Sequence, residues 1–218
     1  GASDAGRDFA ARVADAVFAA TPDIACGTQL RQDLRRRAAA CGRSPGAVRV
    51  LPGLSLYLGA SRAQARELYE TTHAGQDSAR KLNYASQALG LDLAQLAPDQ
   101  PITPAMLGEP PAGARSPTHV ELLRRLVVRE RPSLNDLLSR PEAAGSAHWI
   151  VVGTVDDAFD EIIERIGAEA ADGFIALPGG APQSLDLLLD ELVPRLVEAG
   201  RFRREYTAGT FAENMGIA

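Results

Sequence analysis

The sequence is poor in residues that mark metal-binding and redox proteins. It contains only two cysteines among 218 residues, and neither Cys26 nor Cys41 belongs to a CxxC pair. Without such a pair or a nearby histidine cluster, a zinc site or a redox dithiol has no support. We therefore expect two small, buried or half-buried thiols in a reducing compartment.

Lysine and long apolar runs are also scarce. Lys81 is the only lysine and the formal net charge is −5, which argues against a nucleic-acid partner, because such binding depends on clustered cations. No apolar run approaches the roughly 20 residues that cross a bilayer, and the first residues do not resemble a signal peptide. The sequence thus predicts a cytoplasmic protein with no membrane partner.

What is present is an alternation of helical and strand-like patterns. Three apolar segments have the length of buried parallel strands, namely 15–19, 48–58 and 172–177. A shorter run at 149–152 is strand-like but is not counted with them. Pro52 and Gly53 predict a bulge or bend in the second strand. The alternation indicates an α/β architecture, yet three parallel strands neither close a barrel nor cover their own edges.

Helical periodicity fills most of the remaining chain and predicts helices at 4–13, from the cap Ser61 to about 73, and at about 77–89. Thr154 is expected to cap a further helix, with Asp157 as the acidic partner of a capping box. The last predicted helix, 184–199, is expected to turn five leucines inward, Leu185, Leu188, Leu189, Leu192 and Leu196. From 97 to 115 the pattern fails, since five prolines exclude a long helix. We interpret 97–115 as an irregular insertion loop within one domain segment that spans 1–218.

Five segments in order resemble the nitrilotriacetate and dibenzothiophene-sulfone monooxygenase branch of the bacterial-luciferase-like, FMN-dependent monooxygenases. They are GASDAGRDFAARVADAVFAA (1–20), RAAACGRSPGAVRVLPGLSLYLG (37–59), VVGTVDDAFDEIIE (151–164), ADGFIALPGG (171–180) and FRREYTAGTFAENMG (202–216). The resemblance covers essentially the whole chain and corresponds to the C-terminal half of those enzymes.

The resemblance implies a TIM-type (β/α)8 barrel. Gly1 would stand at the end of strand 5, and segments 15–19, 48–58 and 172–177 would be strands 6, 7 and 8. A helical, Pro-rich insertion would separate strands 7 and 8. The first strands would belong to an N-terminal half of the same barrel, which this chain lacks.

The resemblance also implies a two-component monooxygenase. A separate NADH-dependent flavin reductase would supply reduced FMN, which with O2 would oxygenate a small-molecule substrate. We further expect a homo-oligomer. The chain by itself would be inactive, because much of the site would lie in the other half.

Gly1, Ala2 and Ser3 are the candidate cofactor-binding residues, since the matching family segment contacts the FMN phosphate. Small residues before a helix let backbone N–H groups approach a phosphate, and the helix dipole favours its charge. Two other interpretations stay open: Ser3 merely caps the helix, or the three residues are an expression remnant. Asp4 would repel a phosphate unless it points away.

Other candidates are weaker. The segment 51–54 either faces the flavin or substrate or is simply a packed strand. Arg115 and Ser116 resemble a segment at the mouth of the family's active site and would form either a lid or a surface cap. His73, His119 and His148 have no catalytic spacing, so structural or exposed roles are expected. The acidic run from Asp156 to Glu164 has the spacing of a solvated helix face, not of a metal site.

Two departures from the family pattern weaken the case for activity. Gly153-Thr154-Val155-Asp156 replaces the usual Gly-Thr-Pro-Glu turn, and Ile175 stands where an asparagine amide is usual. The rival hypothesis is a non-catalytic, stand-alone half-barrel that binds flavin or phosphate or self-associates. Burial favours the barrel over this rival, because Val50, Leu54, Leu56, Phe174 and Leu177 are expected to need apolar neighbours that a half-barrel cannot provide.

Overall fold

A computed structural model describes residues 3–74, 78–109, 116–144 and 148–216. The chain divides into two compact units. The first, called the sheet unit, comprises 1–74 and 148–218, and the second, the helical unit, comprises 75–147. The assignment of 1–218 to one segment of a complete barrel stays a prediction.

The sheet unit contains four parallel strands: β1 (Ala16–Ala19), β2 (Arg49–Leu58), β3 (Trp149–Gly153) and β4 (Ile175–Pro178). The long strand β2 pairs with the other three. Its first four residues pair with β1, its last five with β3, and residues 53–56 with β4. The α/β class and the parallel sheet expected from the sequence are confirmed.

Ten α-helices are found among the described residues. In chain order they are α1 (Asp4–Val13), α2 (Ile24–Ala40), α3 (Arg62–His73), α4 (Ser78–Leu89), α5 (Pro117–Glu130), α6 (Leu134–Ser139), α7 (Val155–Gly167), α8 (Pro182–Leu187), α9 (Val193–Glu198) and α10 (Phe211–Met215). Within these residues, no helix is long and apolar enough to cross a bilayer.

Helices cover one face of the sheet, here called the outer face. Leu54, Leu56 and Leu58 of β2 are buried there together with Trp149 and Val151 of β3. They pack against α7 and against the helical segment that follows β4. Because side chains of a strand alternate between the two faces, this core leaves the odd-numbered residues of β2 on the opposite face.

The helical unit has its own core. Helices α4, α5 and α6 bury Leu89, Leu123, Val127 and Leu137 around Ile102. Short 3-10 turns at Leu93–Gln95, Pro104–Met106 and Pro141–Ala144 complete it. Residues 97–109 contain no helix longer than such a turn, and the rest of the predicted insertion loop, 110–115, lies outside the described residues.

Two details of the strands correct the sequence-based expectations. The run at 149–152 is a full strand, β3, so the sheet unit has four strands rather than three. Strand β2 continues without a break through Pro52 and Gly53. A five-residue apolar run cannot be distinguished from a buried helix segment by periodicity alone, which explains why β3 was not counted.

The C-terminal helical segment differs from the expectation of one regular helix. A π-helical turn, Leu188–Leu192, separates α8 from α9, and Pro194 follows it without an N–H to donate. Leu188, Leu192 and Leu196 are buried as expected. Leu185 and Leu189, expected to point inward, are 40% and 54% exposed, so that part of the prediction is wrong.

Candidate functional site

The face of the sheet opposite the helices, here called the inner face, is apolar and largely uncovered. Residues paired in register on parallel strands share a face, and on this face Gly53 pairs with Ile175 and Tyr57 pairs with Val152. Phe18, Val152 and Ile175 are 51%, 37% and 39% exposed. An exposed apolar sheet face of this kind marks a binding or assembly surface.

This result corrects the expectation about which residues lack neighbours. Val50, Leu54 and Leu56 were expected to need a missing half of the protein, yet all three are fully buried by the chain's own helices. The uncovered residues are instead those of the inner face. The sequence of a strand does not show which of its side chains point to the inner face, so only the structure identifies the uncovered residues.

Gly53 lies at a close contact between two rings of the inner face. A Cβ atom at this position would stand 2.7 Å from Nδ1 of His148 and 2.9 Å from the ring of Phe18. The rings of Phe18 and His148 are themselves in contact, with centroids 5.4 Å apart. Of the segment 51–54, Gly53 therefore reaches the inner face, whereas Leu54 is buried in the outer core.

His148 has an unusual environment for a residue expected to be merely structural. Its Nδ1 atom is buried and has no hydrogen-bond partner among the described residues. A buried polar atom without a partner costs about 1–3 kcal/mol and therefore calls for an explanation. No local sequence pattern predicts this placement, because Phe18 and Gly53, which His148 contacts, are far from it in the chain.

Helix α3 covers the carboxyl end of the inner face. The ring of Tyr57 packs edge-on against Tyr69, and its hydroxyl lies 3.5 Å from Nε2 of His73. Nδ1 of His73 lies 2.7 Å from the carbonyl oxygen of Tyr69, which favours the tautomer in which Nδ1 donates and Nε2 accepts from Tyr57. Burial raises the pKa of Tyr57, so this hydroxyl stays protonated.

A groove of about 590 Å³ lies beside this carboxyl end, between α3 and α8. Its floor is formed by the end of β2, from Leu58 to Ala60. Glu67 of α3 and Asp186 of α8 stand on its walls. The carboxyl ends of parallel strands are where barrels of this type bind their ligands, so the groove adjoins the expected position of a site.

The predicted phosphate-binding residues are only partly described. Gly1 and Ala2 lie outside the described residues. Ser3 is the N-cap of α1, and its Oγ accepts a hydrogen bond of 3.2 Å from the Gly6 N–H. The capping interpretation of Ser3 is thus observed, and a phosphate contact by the same residue stays a prediction.

Asp4, the first residue of α1, has a cationic partner. Its carboxylate forms an ion pair with Arg37, which also pairs with Asp8 and, at 3.0 Å, with Asp33. Hydrogen bonds to Asp8 and Asp4 raise the pKa of Arg37. Arg37 therefore offsets only part of the negative charge that would oppose a phosphate at this helix, because its single positive charge is shared among three carboxylates.

The remaining candidates have structural roles or lie outside the described residues. Arg115 falls outside them, and Ser116 is the N-cap of α5. In the acidic run, Asp157 caps α7 and binds Arg62, while Asp156 pairs with Arg195. Within the described residues, no group of His, Cys, Asp or Glu is arranged to hold a metal ion. Both cysteines are free thiols; Cys26 is half-buried as expected, whereas Cys41 is exposed, so the expectation for Cys41 is wrong.

The chain is similar to known proteins in both sequence and fold. The family profile described as luciferase-like monooxygenase matches residues 1–171. The chain therefore belongs to the luciferase-like monooxygenase family, the family to which the five sequence segments pointed.

Individual relatives lie in the branch expected from the sequence. Nitrilotriacetate monooxygenase component A from Aminobacter aminovorans is 32% identical over 100% of this chain and 47% of its own length. Dibenzothiophene-sulfone monooxygenase from Rhodococcus erythropolis is 29% identical over 100% of this chain and 48% of its own length. Of the solved structures, EDTA monooxygenase from Chelativorans sp. BNC1 matches with a TM-score of 0.75 and 29% identity, over 100% of this chain and 50% of the solved one. The chain thus spans about half the length of the curated relatives it matches.

Proposed function

We propose that the chain is the C-terminal half of a flavin-dependent monooxygenase that uses reduced FMN and O2 to oxygenate a small organic substrate. One oxygen atom enters the substrate, the other leaves as water, and the flavin supplies two electrons. A separate NADH-dependent reductase would return the flavin to its reduced form. Membership of the luciferase-like family and the monooxygenase relatives support this reaction class.

The observation that carries the proposal is the uncovered inner face. In a closed barrel such a face is buried by side chains from the other strands. Here Phe18, Val152 and Ile175 remain exposed, and the relatives are about twice as long as the chain. An N-terminal half that supplies strands 1 to 5 would cover this face, with β1, β2 and β4 acting as strands 6, 7 and 8.

The same half would cover apolar residues on two helices. Phe9 and Val13 of α1 are 68% and 60% exposed, and Leu185 and Leu189 follow β4 with similar exposure. In the proposed barrel, α1 would follow strand 5 and the helical segment with Leu185 and Leu189 would follow strand 8, so each would face a helix or strand of the other half. Their exposure thus matches the two junctions of the proposed assembly.

The start of α1 suits the phosphate of FMN. Ser3 and the first N–H groups of the helix would hold the phosphate, with Gly1 and Ala2 before them. Arg37, which pairs with Asp4, Asp8 and Asp33, would offset part of the charge of Asp4. When bound, FMN would supply the electron transfer, and the protein would position it and exclude water.

The uncovered face also favours a second candidate, a non-catalytic half-barrel that pairs with another copy of itself. Two such faces packed together would bury the same apolar side chains. This candidate predicts a homodimer that leaves reduced flavin untouched. The exposed Phe18, Val152 and Ile175 support this alternative as well, because a second copy would bury them.

The test uses a complete barrel made by placing the N-terminal half of the nitrilotriacetate monooxygenase component A ahead of Gly1. With reduced FMN and isotopically labelled O2, we expect FMN binding and a labelled product with a suitable substrate. Ser3→Ala should weaken the binding of FMN but not of riboflavin, which lacks the phosphate. A folded complete barrel that binds neither flavin contradicts the proposal.

A further inference from the structure

We infer that the sheet unit binds a small organic acid, a molecule with one acidic group on an apolar body, in a cavity at the amino end of its strands. The cavity has a volume of about 630 Å³, within the range of about 300–1,000 Å³ that small-molecule sites have. All of its walls belong to the sheet unit, so the inference does not rest on the proposed function. Barrels of this type carry out their chemistry at the opposite, carboxyl end of the strands.

The cavity is built where two strands begin. Arg49 and Leu51 belong to the start of β2, and Gly173 and Phe174 come directly before β4. Helices α7 and α9 and the C-terminal segment 200–216, here called the tail, supply the other lining residues. Because β2 and β4 are paired, their first residues form a shared wall against which a ligand can rest.

Most of the lining is apolar. Ile162 and Ile166 of α7, Leu196 of α9, Phe174 and Phe202 of the tail all contribute to it. Phe202 is 47% exposed, so aromatic carbon at the cavity is still in contact with water. A ligand with an apolar body removes such carbon from water, and this transfer favours binding.

Three arginines, Arg49, Arg201 and Arg203, also line the cavity. In the part of the chain that the structure describes, none of them forms a salt bridge with a carboxylate. Arg49 donates to the carbonyl oxygen of Gly216 at 3.0 Å, and the guanidinium of Arg203 lies 5.2 Å from the ring centre of Tyr206. Neither contact neutralises a charge, so the cavity concentrates positive charge on a chain whose formal net charge is −5.

One carboxylate, that of Asp172, also lines the cavity, but its charge is already compensated. One oxygen accepts from the guanidinium of Arg31 at 2.7 and 3.0 Å, and the other accepts from the Val50 N–H at 2.9 Å. The three lining arginines therefore keep their excess of positive charge. An acid that leaves water needs such a cationic partner, and arginine binds carboxylates with two parallel hydrogen bonds.

Hydrogen bonds hold the tail in the shape that forms the cavity. The Arg201 N–H donates to the carbonyl oxygen of Leu196 at 2.8 Å. Farther along, the side-chain amide of Asn214 donates to the carbonyl oxygens of Ala208 and Thr210 at 3.0 and 2.7 Å. Because these contacts order the walls in advance, a ligand binds without the entropic cost of ordering them.

The combination of walls and charges identifies the class of ligand. A neutral apolar molecule would leave the guanidinium groups without a partner. A small inorganic anion would leave the apolar walls in contact with water. An organic acid with one ring system satisfies both parts of the lining.

Isothermal titration calorimetry of the chain with three probes tests the inference. The first, 2-naphthoate, has both the acid and the apolar body, whereas 2-naphthamide lacks the charge and acetate lacks the body. At physiological salt we expect 2-naphthoate to bind at one site at least about tenfold more tightly than either of the others. Equal affinity for 2-naphthoate and one of the other probes, or no binding of 2-naphthoate, overturns the inference.

Variants of the tail locate the site. Arg203→Met removes one cation but keeps an apolar stem, so it should weaken the binding of 2-naphthoate about tenfold and leave that of 2-naphthamide unchanged. Arg204→Met, at the neighbouring exposed position that does not line the cavity, is the matched control and should change neither. Circular dichroism confirms that both variants fold. If Arg203→Met leaves the affinity for 2-naphthoate unchanged, or Arg204→Met lowers it equally, the cavity is not the site.

The same titration on the complete barrel separates this inference from the proposed function. We expect the affinity for 2-naphthoate to be retained, because every lining residue is present in both proteins. Loss of binding in the complete barrel would show that the other half fills the cavity and would overturn the inference. A complete barrel that binds 2-naphthoate but neither flavin contradicts the proposed function alone.

Discussion

At the scale of single residues, Asp172 joins three parts of the sheet unit. One of its carboxylate oxygens accepts from Arg31 of α2 at 2.7 and 3.0 Å, and the other accepts from the Val50 N–H of β2 at 2.9 Å. Both side chains are nearly buried, with exposures of 12% for Arg31 and 9% for Asp172. The pair fixes the segment before β4 against β2 and α2.

The Arg31–Asp172 pair predicts a pH-dependent loss of stability in a variant. Arg31→Met leaves a nearly buried carboxylate without its cation, so the free energy of unfolding should fall by about 2–4 kcal/mol near neutral pH. Urea unfolding followed by circular dichroism measures the change. Arg35→Met, which removes an exposed pair with Glu169, is the control and should cost less than about 1 kcal/mol.

The sign of the pH effect follows from the pKa of Asp172. Burial alone would raise this pKa, but the Arg31 and Val50 hydrogen bonds outweigh it and lower the pKa below its ordinary value. The pair therefore stabilises the fold above the carboxyl group's unfolded pKa, and this contribution is lost as the pH falls through the folded pKa. The difference between wild type and Arg31→Met should shrink in acid, and a constant difference contradicts this account.

Single residues also show which contacts can be predicted from the sequence and which cannot. Ser3 and Thr154 were identified as caps because a capping side chain acts on its own helix, only a few residues away. The roles of Asp172 and His148 depend on partners far away in the chain. Asp172 contacts Arg31, 141 positions distant, and no local pattern predicts such a contact.

At the scale of elements, α7 begins with an N-terminal cap that the sequence predicts. Thr154 Oγ1 accepts from the Asp157 N–H, and the Asp157 carboxylate accepts from the Thr154 N–H at 2.9 Å, as in a capping box. The altered turn at 153–156 therefore keeps its cap. The helix then buries Ala158 and Ile162 over the outer face.

This cap predicts a rescue experiment. Thr154→Ala removes the acceptor for the Asp157 N–H and should lower the free energy of unfolding by about 1 kcal/mol. Thr154→Ser keeps the hydroxyl and should recover most of that loss. The midpoint of urea unfolding distinguishes the two variants, and equal destabilisation by both would show that the methyl group of Thr154, not its cap, is what matters.

Elements with strong periodicity or clear caps were predictable, and short or irregular ones were not. Helix α1 was predicted with its observed bounds, and α3 and α4 to within one residue. Strand β3 was undervalued because five apolar residues fit several structures. The exposure of Leu185 and Leu189 was not predictable, because it depends on which elements pack against this helical segment and helical periodicity does not identify them.

At the scale of the whole molecule, the proposed N-terminal half-barrel would account for the apolar side chains that the described residues leave uncovered. The outer face has its helices, whereas the inner face, α1 and α8 expose apolar side chains at the places where a barrel would continue. In the sequence, the alternation of helices and strands contains too few strands to close a barrel. Which apolar side chains are exposed could be determined only from the structure.

The central claim is that a second half-barrel covers the inner face, and native mass spectrometry tests it most directly. The chain is mixed in equal amounts with the N-terminal half of nitrilotriacetate monooxygenase component A, produced separately. The account predicts a one-to-one complex, which Phe18→Asp on the inner face should weaken. A homodimer of the chain that persists unchanged in the presence of the other half would contradict the account and support the self-associating alternative.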